Sequence, residues 1–255
     1  MDADLSPGEA ALAGLGIAVV LSGLHLLAPH IRRLRPIPEA ATGSFAGGLA
    51  VAYVFLHLLP EIAAGNEAVG AALSDVLRPT PLIDLGIFLV ALAGFTAFFA
   101  LERLADRSSR SRPASPGVYR LHLGSFMVYN GLITYTMPLR LRTGVLFTVL
   151  FTVAMGLHFV LTDRGMEERY GARFGRGGRL ALAGALLVGA VIAAAAAPTS
   201  TLLVALLTAL LGGSILLNVF KEEIPSGSHT RFGWFLIGLA LYAGLLAAVT
   251  ALSEG

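Results

Sequence analysis

Eight stretches of about twenty mainly apolar residues constrain this chain more than any other feature, because a helix of that length matches the hydrocarbon thickness of a bilayer. They run from Ala10 to Ala28, Gly43 to Ile62, Pro81 to Leu101, Tyr119 to Met137, Thr143 to Leu161, Leu180 to Ala197, Thr201 to Phe220, and Phe232 to Leu252. In lipid every backbone N–H and C=O must be satisfied within the protein, so such runs are read as helices. The expected class is an all-α, polytopic membrane protein, with residues 1–255 forming one transmembrane domain of eight helices. Its chemistry agrees: 13% of the residues are charged, where a soluble domain carries about 25%. Thirty glycines among the apolar runs suit helices that approach closely.

The fourth span is the weakest, since Tyr119, His122, Tyr129, Asn130, Thr134, Tyr135 and Thr136 make it amphipathic. A helix of that kind belongs inside the bundle. The amino-terminal segment carries Asp2, Asp4 and Glu9 without a cation, the reverse of a secretory signal, so the first span is expected to be retained. Basic residues gather on the cytoplasmic side of membrane proteins. Here Arg32, Arg33 and Arg35 follow span one, Arg103, Arg107, Arg110, Arg112 and Arg120 surround the connection from span three to span four, Arg164, Arg169, Arg173, Arg176 and Arg179 follow span five, and Lys221 and Arg231 follow span seven. Only Arg78, Arg140 and Arg142 fall in the alternate loops. Both termini are therefore expected outside the cytoplasm. The arginine preference and the abundance of alanine and glycine fit a bacterium of high genomic GC, and hence its plasma membrane. The cations lie in loops on one side, so they do not indicate nucleic-acid binding.

The second and seventh spans resemble each other. "GGLAVAYVFLHLLPE", Gly47 to Glu61, and "GGSILLNVFKEEIP", Gly212 to Pro225, match at a constant offset of 165, pairing Gly47 with Gly212, Gly48 with Gly213, Val54 with Val219, Phe55 with Phe220 and Pro60 with Pro225. One of these spans runs outward and the other inward. Related segments of opposite direction are the mark of inverted-repeat transporters, whose substrate sites lie near the repeat interface.

An ionisable side chain at mid-membrane costs about 2.5 to 3.5 kcal/mol on insertion scales, so each one asks for a reason. His57 and Glu61, four apart on span two with Tyr53 one turn earlier, share a helical face. Pro60 beside them removes a backbone donor. An imidazole and a carboxylate so placed suit a divalent metal or a proton; the alternative is an ion pair at the outer end of the helix. Asn218, Lys221, Glu222 and Glu223 crowd the end of span seven, as a cytoplasmic exit site or as interfacial charges. Tyr129 and Asn130 are the most interior polar pair and suit interhelical hydrogen bonds. His25 reads as a hydrogen-bonded packing residue, His122 as solvated at the interface, and Asp163, Glu167 and Glu168 as acids of a solvated loop, with His158 open. Asp84 near the start of span three is explained by the helix dipole. The absence of cysteine, and of G-x-S-x-G, H-E-x-x-H and nucleotide-loop motifs, argues against an enzyme and a resident cofactor.

Eight spans with both ends outside, the longest cytoplasmic linker between spans three and four, "FLHLLPE" from Phe55 to Glu61 and "FKEEIP" in span seven together resemble the ZIP family of divalent metal transporters. The resemblance implies a permease-like bundle for zinc, iron or manganese, built on an inverted repeat of spans one to three and six to eight, and often dimeric. It implies as candidate metal-route residues His57, Glu61, Asn130, His158, Asn218 and Glu222, flanked by Tyr53. The chain departs from the family in its centre, where the HNxxE and HExxE arrangements of spans four and five are replaced. Tyr129 stands for the histidine before Asn130, Ile133 for the acid, and Thr162 follows His158 where an acid would be. Two readings follow: a ZIP-like transporter of a divalent metal or another small solute, or a non-transporting protein of the same fold acting as an assembly or sensing partner.

Overall fold

The computed structural model describes residues 5–31, 39–73, 85–109, 115–196, 200–223 and 231–254. Every regular element among them is helical. Span one is α1 (Pro7–Ile31). Span two is α2 (Glu39–Tyr53), a π-helical turn (Val54–Leu58) and α3 (Leu59–Leu73); span three is α4 (Gly86–Ser109), span four α5 (Pro116–Thr143) and span five α6 (Val145–Tyr170). Span six is α7 (Gly175–Ala196), span seven α8 (Thr201–Asn218) with a second π turn (Val219–Glu223), and span eight α9 (Phe232–Glu254).

Seven of these are long and apolar enough to cross a bilayer, and the exception is span four. Its start is nevertheless well defined: the Ser115 hydroxyl accepts from the Val118 N–H, and Pro116 opens the first turn. The outward faces of the other helices carry exposed Leu12, Val19, Leu89, Val191 and Ile237, whereas His25, Glu102, Asn130, Asp163 and Arg179 are buried. A surface of that kind is stable against lipid and aggregates in water. Span two runs on to Leu73 and span five to Tyr170, beyond the apolar runs that announced them, because Glu61, Asn66 and Glu67 in one and Asp163 to Arg169 in the other lower hydropathy without breaking a helix.

The repeat is structural. Its two π turns cover 54–58 and 219–223, the same positions at the offset of 165. In the first, Pro60 has no N–H for the carbonyl four residues back, and the register slips so that Leu59 N–H reaches Val54 O. Pro225 holds the equivalent place in the sequence and lies outside the described residues. The equivalent side chains Phe55 and Phe220 meet edge to face, with ring centroids 6.3 Å apart. Like residues in mutual contact mark the local two-fold of the repeat.

The glycines carry the same symmetry into the packing. A Cβ on Gly48 would collide with the Phe235 carbonyl of span eight, and one on Gly238 with the Phe45 carbonyl of span two. A Cβ on Gly213 would collide with the Ala91 carbonyl of span three, and one on Gly94 with the Leu210 carbonyl of span seven. Gly213 and Leu210 are Gly48 and Phe45 moved by 165 positions. Spans two and eight, and spans three and seven, are thus equivalent crossings in which backbones touch, as small residues allow in membrane bundles. Span six packs against spans one and four, and span five lies against span one.

Candidate functional site

The first π turn projects His57 toward span four. His57 Nε2 stands 3.9 Å from Glu61 Oε2, and Glu61 is gripped by Arg140 of span four, whose Nη1 lies 2.6 Å from Oε1 and 2.7 Å from Oε2. The guanidinium carbon sits 4.4 Å from the centroid of the Phe151 ring, a cation–π contact that holds its plane. His57, Glu61 and Arg140 line a cavity of about 320 Å³ with Phe147, Thr148 and Phe151 of span five and Leu246 and Thr250 of span eight. Tyr53 stacks on the His57 ring at 5.5 Å and meets Tyr242 edge-on at 6.1 Å. The hydroxyls of Tyr53 and Tyr242 are buried and make no hydrogen bond among the described residues.

A second polar cavity lies at the other end of spans four and five. It measures about 30 Å³, room for roughly one water, and is lined by Glu102, His122, His158, Thr162, Arg169 and Asn218 among others. Glu102, buried on span three, receives Arg169 Nη1 at 2.8 Å, His122 Nε2 at 2.8 Å, and the Lys221 ammonium from the second π turn. His122 Nδ1 bonds the Tyr170 hydroxyl at 2.8 Å. The Asn218 amide nitrogen is buried without a partner among the described residues. Between the cavities, Phe151 and His158 lie seven positions apart on span five, about 10 Å of helix. Tyr53, Tyr129, Phe126 and Phe159 fill that thickness.

A third polar cluster is closed. His25 Nδ1 lies 2.9 Å from Asp163 Oδ1, its Nε2 lies 2.9 Å from Asn130 Nδ2, and its ring stacks on Phe159 at 4.7 Å. Asn130 Nδ2 also faces the Leu182 carbonyl at 3.4 Å, which orients the amide as donor toward His25 Nε2, with His25 Nδ1 turned to Asp163. Arg179 joins Asp163 at 3.7 Å and Glu167 at 2.9 Å. With Thr134 bonded to Leu186 O at 2.7 Å and Ser22 to Ala183 O at 3.0 Å, these contacts tie spans one, four, five and six together. A further recess of about 750 Å³ between spans four and six has Tyr135 as its one polar lining side chain.

The candidate residues therefore divide among three places. His57 and Glu61 share the larger cavity, His158 and Asn218 line the smaller, and Asn130 is engaged with His25; the side chain of Glu222 lies outside the described ones, as does Asp84. His25 is a hydrogen-bonded packing residue, as read from its position. Two readings are corrected. Asp163 is not in a solvated loop but 1% exposed on span five, because the helix continues past the apolar run and turns it toward His25. His122 is not solvated at the interface but buried, because it is turned inward, where Tyr170 bonds its Nδ1 and Glu102 Oε1 lies 2.8 Å from its Nε2. Arg140, assigned to a loop, is the decisive residue of the larger cavity. Its position one turn after Thr136 on the polar face of span four was the available signal. Among the described residues no group of three or more His, Asp or Glu is disposed to hold a metal ion. No protein-family model matches the chain, and no curated protein is detectably similar to it.

Proposed function

We propose that the chain is a transporter of ZIP-like build that carries a small polar solute across a membrane by opening its two cavities in turn. One observation carries this reading: each π turn of the repeat abuts one of the cavities. His57 on the first turn lines the Glu61 cavity, while Lys221 on the second holds Glu102, and Asn218 just before it lines the Glu102 cavity. In inverted-repeat transporters the two repeats exchange conformations, which exposes a site first to one side and then to the other. The distribution of basic residues supports placing the Glu61 cavity outside and the Glu102 cavity on the cytoplasmic side of a plasma membrane. A divalent metal as cargo would find two ligands in the outer cavity, His57 and Glu61, and would have to displace Arg140 from the carboxylate.

The chain contains no cysteine, so single cysteines report accessibility without background. In proteoliposomes Thr250→Cys and Gly165→Cys are expected to react with a membrane-impermeant maleimide from opposite sides, and a condition that protects one is expected to expose the other. Independent, unlinked labelling of the two positions would remove the alternating mechanism. Uptake of zinc and manganese measured in the same vesicles decides the metal cargo, background-level uptake ruling it out. The second reading, a non-transporting protein of the same fold that serves as an assembly or sensing partner, is favoured by one feature: each cavity carboxylate is already paired with an internal cation. It predicts that Gly165→Cys stays unlabelled under every condition.

A further inference from the structure

The Glu61 cavity presents an anion and a cation side by side to the same space. Arg140 and Glu61 come from spans four and two, 79 positions apart, and both line a volume of about 320 Å³. A polar pair that served only to pin two helices would be packed shut, as the hydrogen-bonded His25–Asp163 pair is at 0% and 1% exposure; Glu61 is 30% exposed. The hydroxyls of Tyr53 and Tyr242, behind the His57 ring, stand outside the lining of this cavity. An ion pair that faces a cavity and stays part exposed leaves a polar occupant room to reach both partners.

Charge decides which occupant fits. A lone cation, metal or amine, would take Glu61 and stand as a like charge beside the Arg140 guanidinium in a low-dielectric wall. A lone anion would take Arg140 and stand as a like charge beside the Glu61 carboxylate. A ligand carrying both charges restores a partner to each: its ammonium goes to the Glu61 carboxylate, and its carboxylate accepts from the Arg140 guanidinium in the bidentate geometry that side chain favours. No net charge enters the membrane. We infer that the Glu61 cavity is a binding site for a small zwitterion, an α-amino acid, which inserts between Glu61 and Arg140.

The inference names the solute class of the proposed transporter and rests on that reading for its role, though not for its binding. The test is thermal unfolding of the full chain in nanodiscs with alanine, glutamate, lysine, ethylamine, propionate or zinc as the added probe. At least one amino acid is expected to raise the melting midpoint by about 3 °C at saturating concentration, while ethylamine and propionate, each offering half of the ligand, leave it unchanged. Glu61→Gln and Arg140→Gln are each expected to abolish that shift. Glu61→Asp and Arg140→Lys, which keep both charges and guard against loss of fold, are expected to retain a smaller shift. Stabilisation by ethylamine or zinc as great as by the amino acids overturns the inference, as does an unresponsive protein across the whole panel. Because cysteine accessibility needs no ligand, alternating cavities without amino-acid binding sink this inference alone; amino-acid binding without alternation sinks the transport reading alone.

Discussion

Glu61 and Glu102 are each a buried-end carboxylate facing a polar cavity beside a π turn, yet one cavity is about ten times the volume of the other. The difference follows from the cations. Among the described residues Glu61 is held by Arg140, with His57 at a longer distance. Glu102 is clasped by Lys221, Arg169 and His122, which come from spans seven, five and four. Four spans converge on a single carboxylate, and the bundle is drawn shut there. At the other end Arg140 ties span four to Glu61 and Thr208, and space remains. The structure is thus roomier at the Glu61 end and more tightly tied at the Glu102 end.

The comparison can be broken most forcefully through the crossings that hold both halves. Gly48→Leu drives a side chain into the Phe235 backbone, and its expected cost is about 3 kcal/mol or loss of fold, read as the melting midpoint in detergent. The equivalent change at Gly213 is expected to cost the same, and a large inequality between the two would contradict the equivalence of the repeats. Next, Glu102→Gln leaves its cations short of a counter-charge in a closed site, with an expected cost of about 3 kcal/mol. It is also expected to speed labelling of Gly165→Cys. Glu61→Gln is expected to cost less, about 1 kcal/mol, because water reaches that cavity and screens what remains; equal losses at the two carboxylates would remove the contrast between them. The smallest effect is expected for Tyr53→Phe. Removing a hydroxyl that has no partner is expected to change stability by less than about 1 kcal/mol and in the stabilising direction, measured by the same melting assay without ligand.

The eight helices were legible because hydrophobic length is a local property, and so was the repeat, since "VFLHL" and "VFKEE" carry their register in the letters. The pairing of distant charges was not. Arg140 stands in "PLRLR" beside Arg142, which has the look of a loop, and nothing local announces that its partner is Glu61 on another span. Asp163 left a fainter trace: Phe159, Met166 and Tyr170 form a buried stripe at helical spacing, and Asp163 falls in the middle of it. Reading that stripe past the end of the apolar run would have turned the acid inward. Glu102 had no such trace, because an acid near a helix end is ordinarily solvated.

The four glycines of the two crossings also determine what can move. Where backbones touch, neither helix can slide without a carbonyl striking its neighbour, so spans two and eight behave as one lever and spans three and seven as the other. The levers meet at Phe55 against Phe220 and at Ile62 against Gly212, contacts made by side chains that can turn. Between these two rigid pairs, the Phe55–Phe220 contact is a place where side chains rather than backbones set the fit.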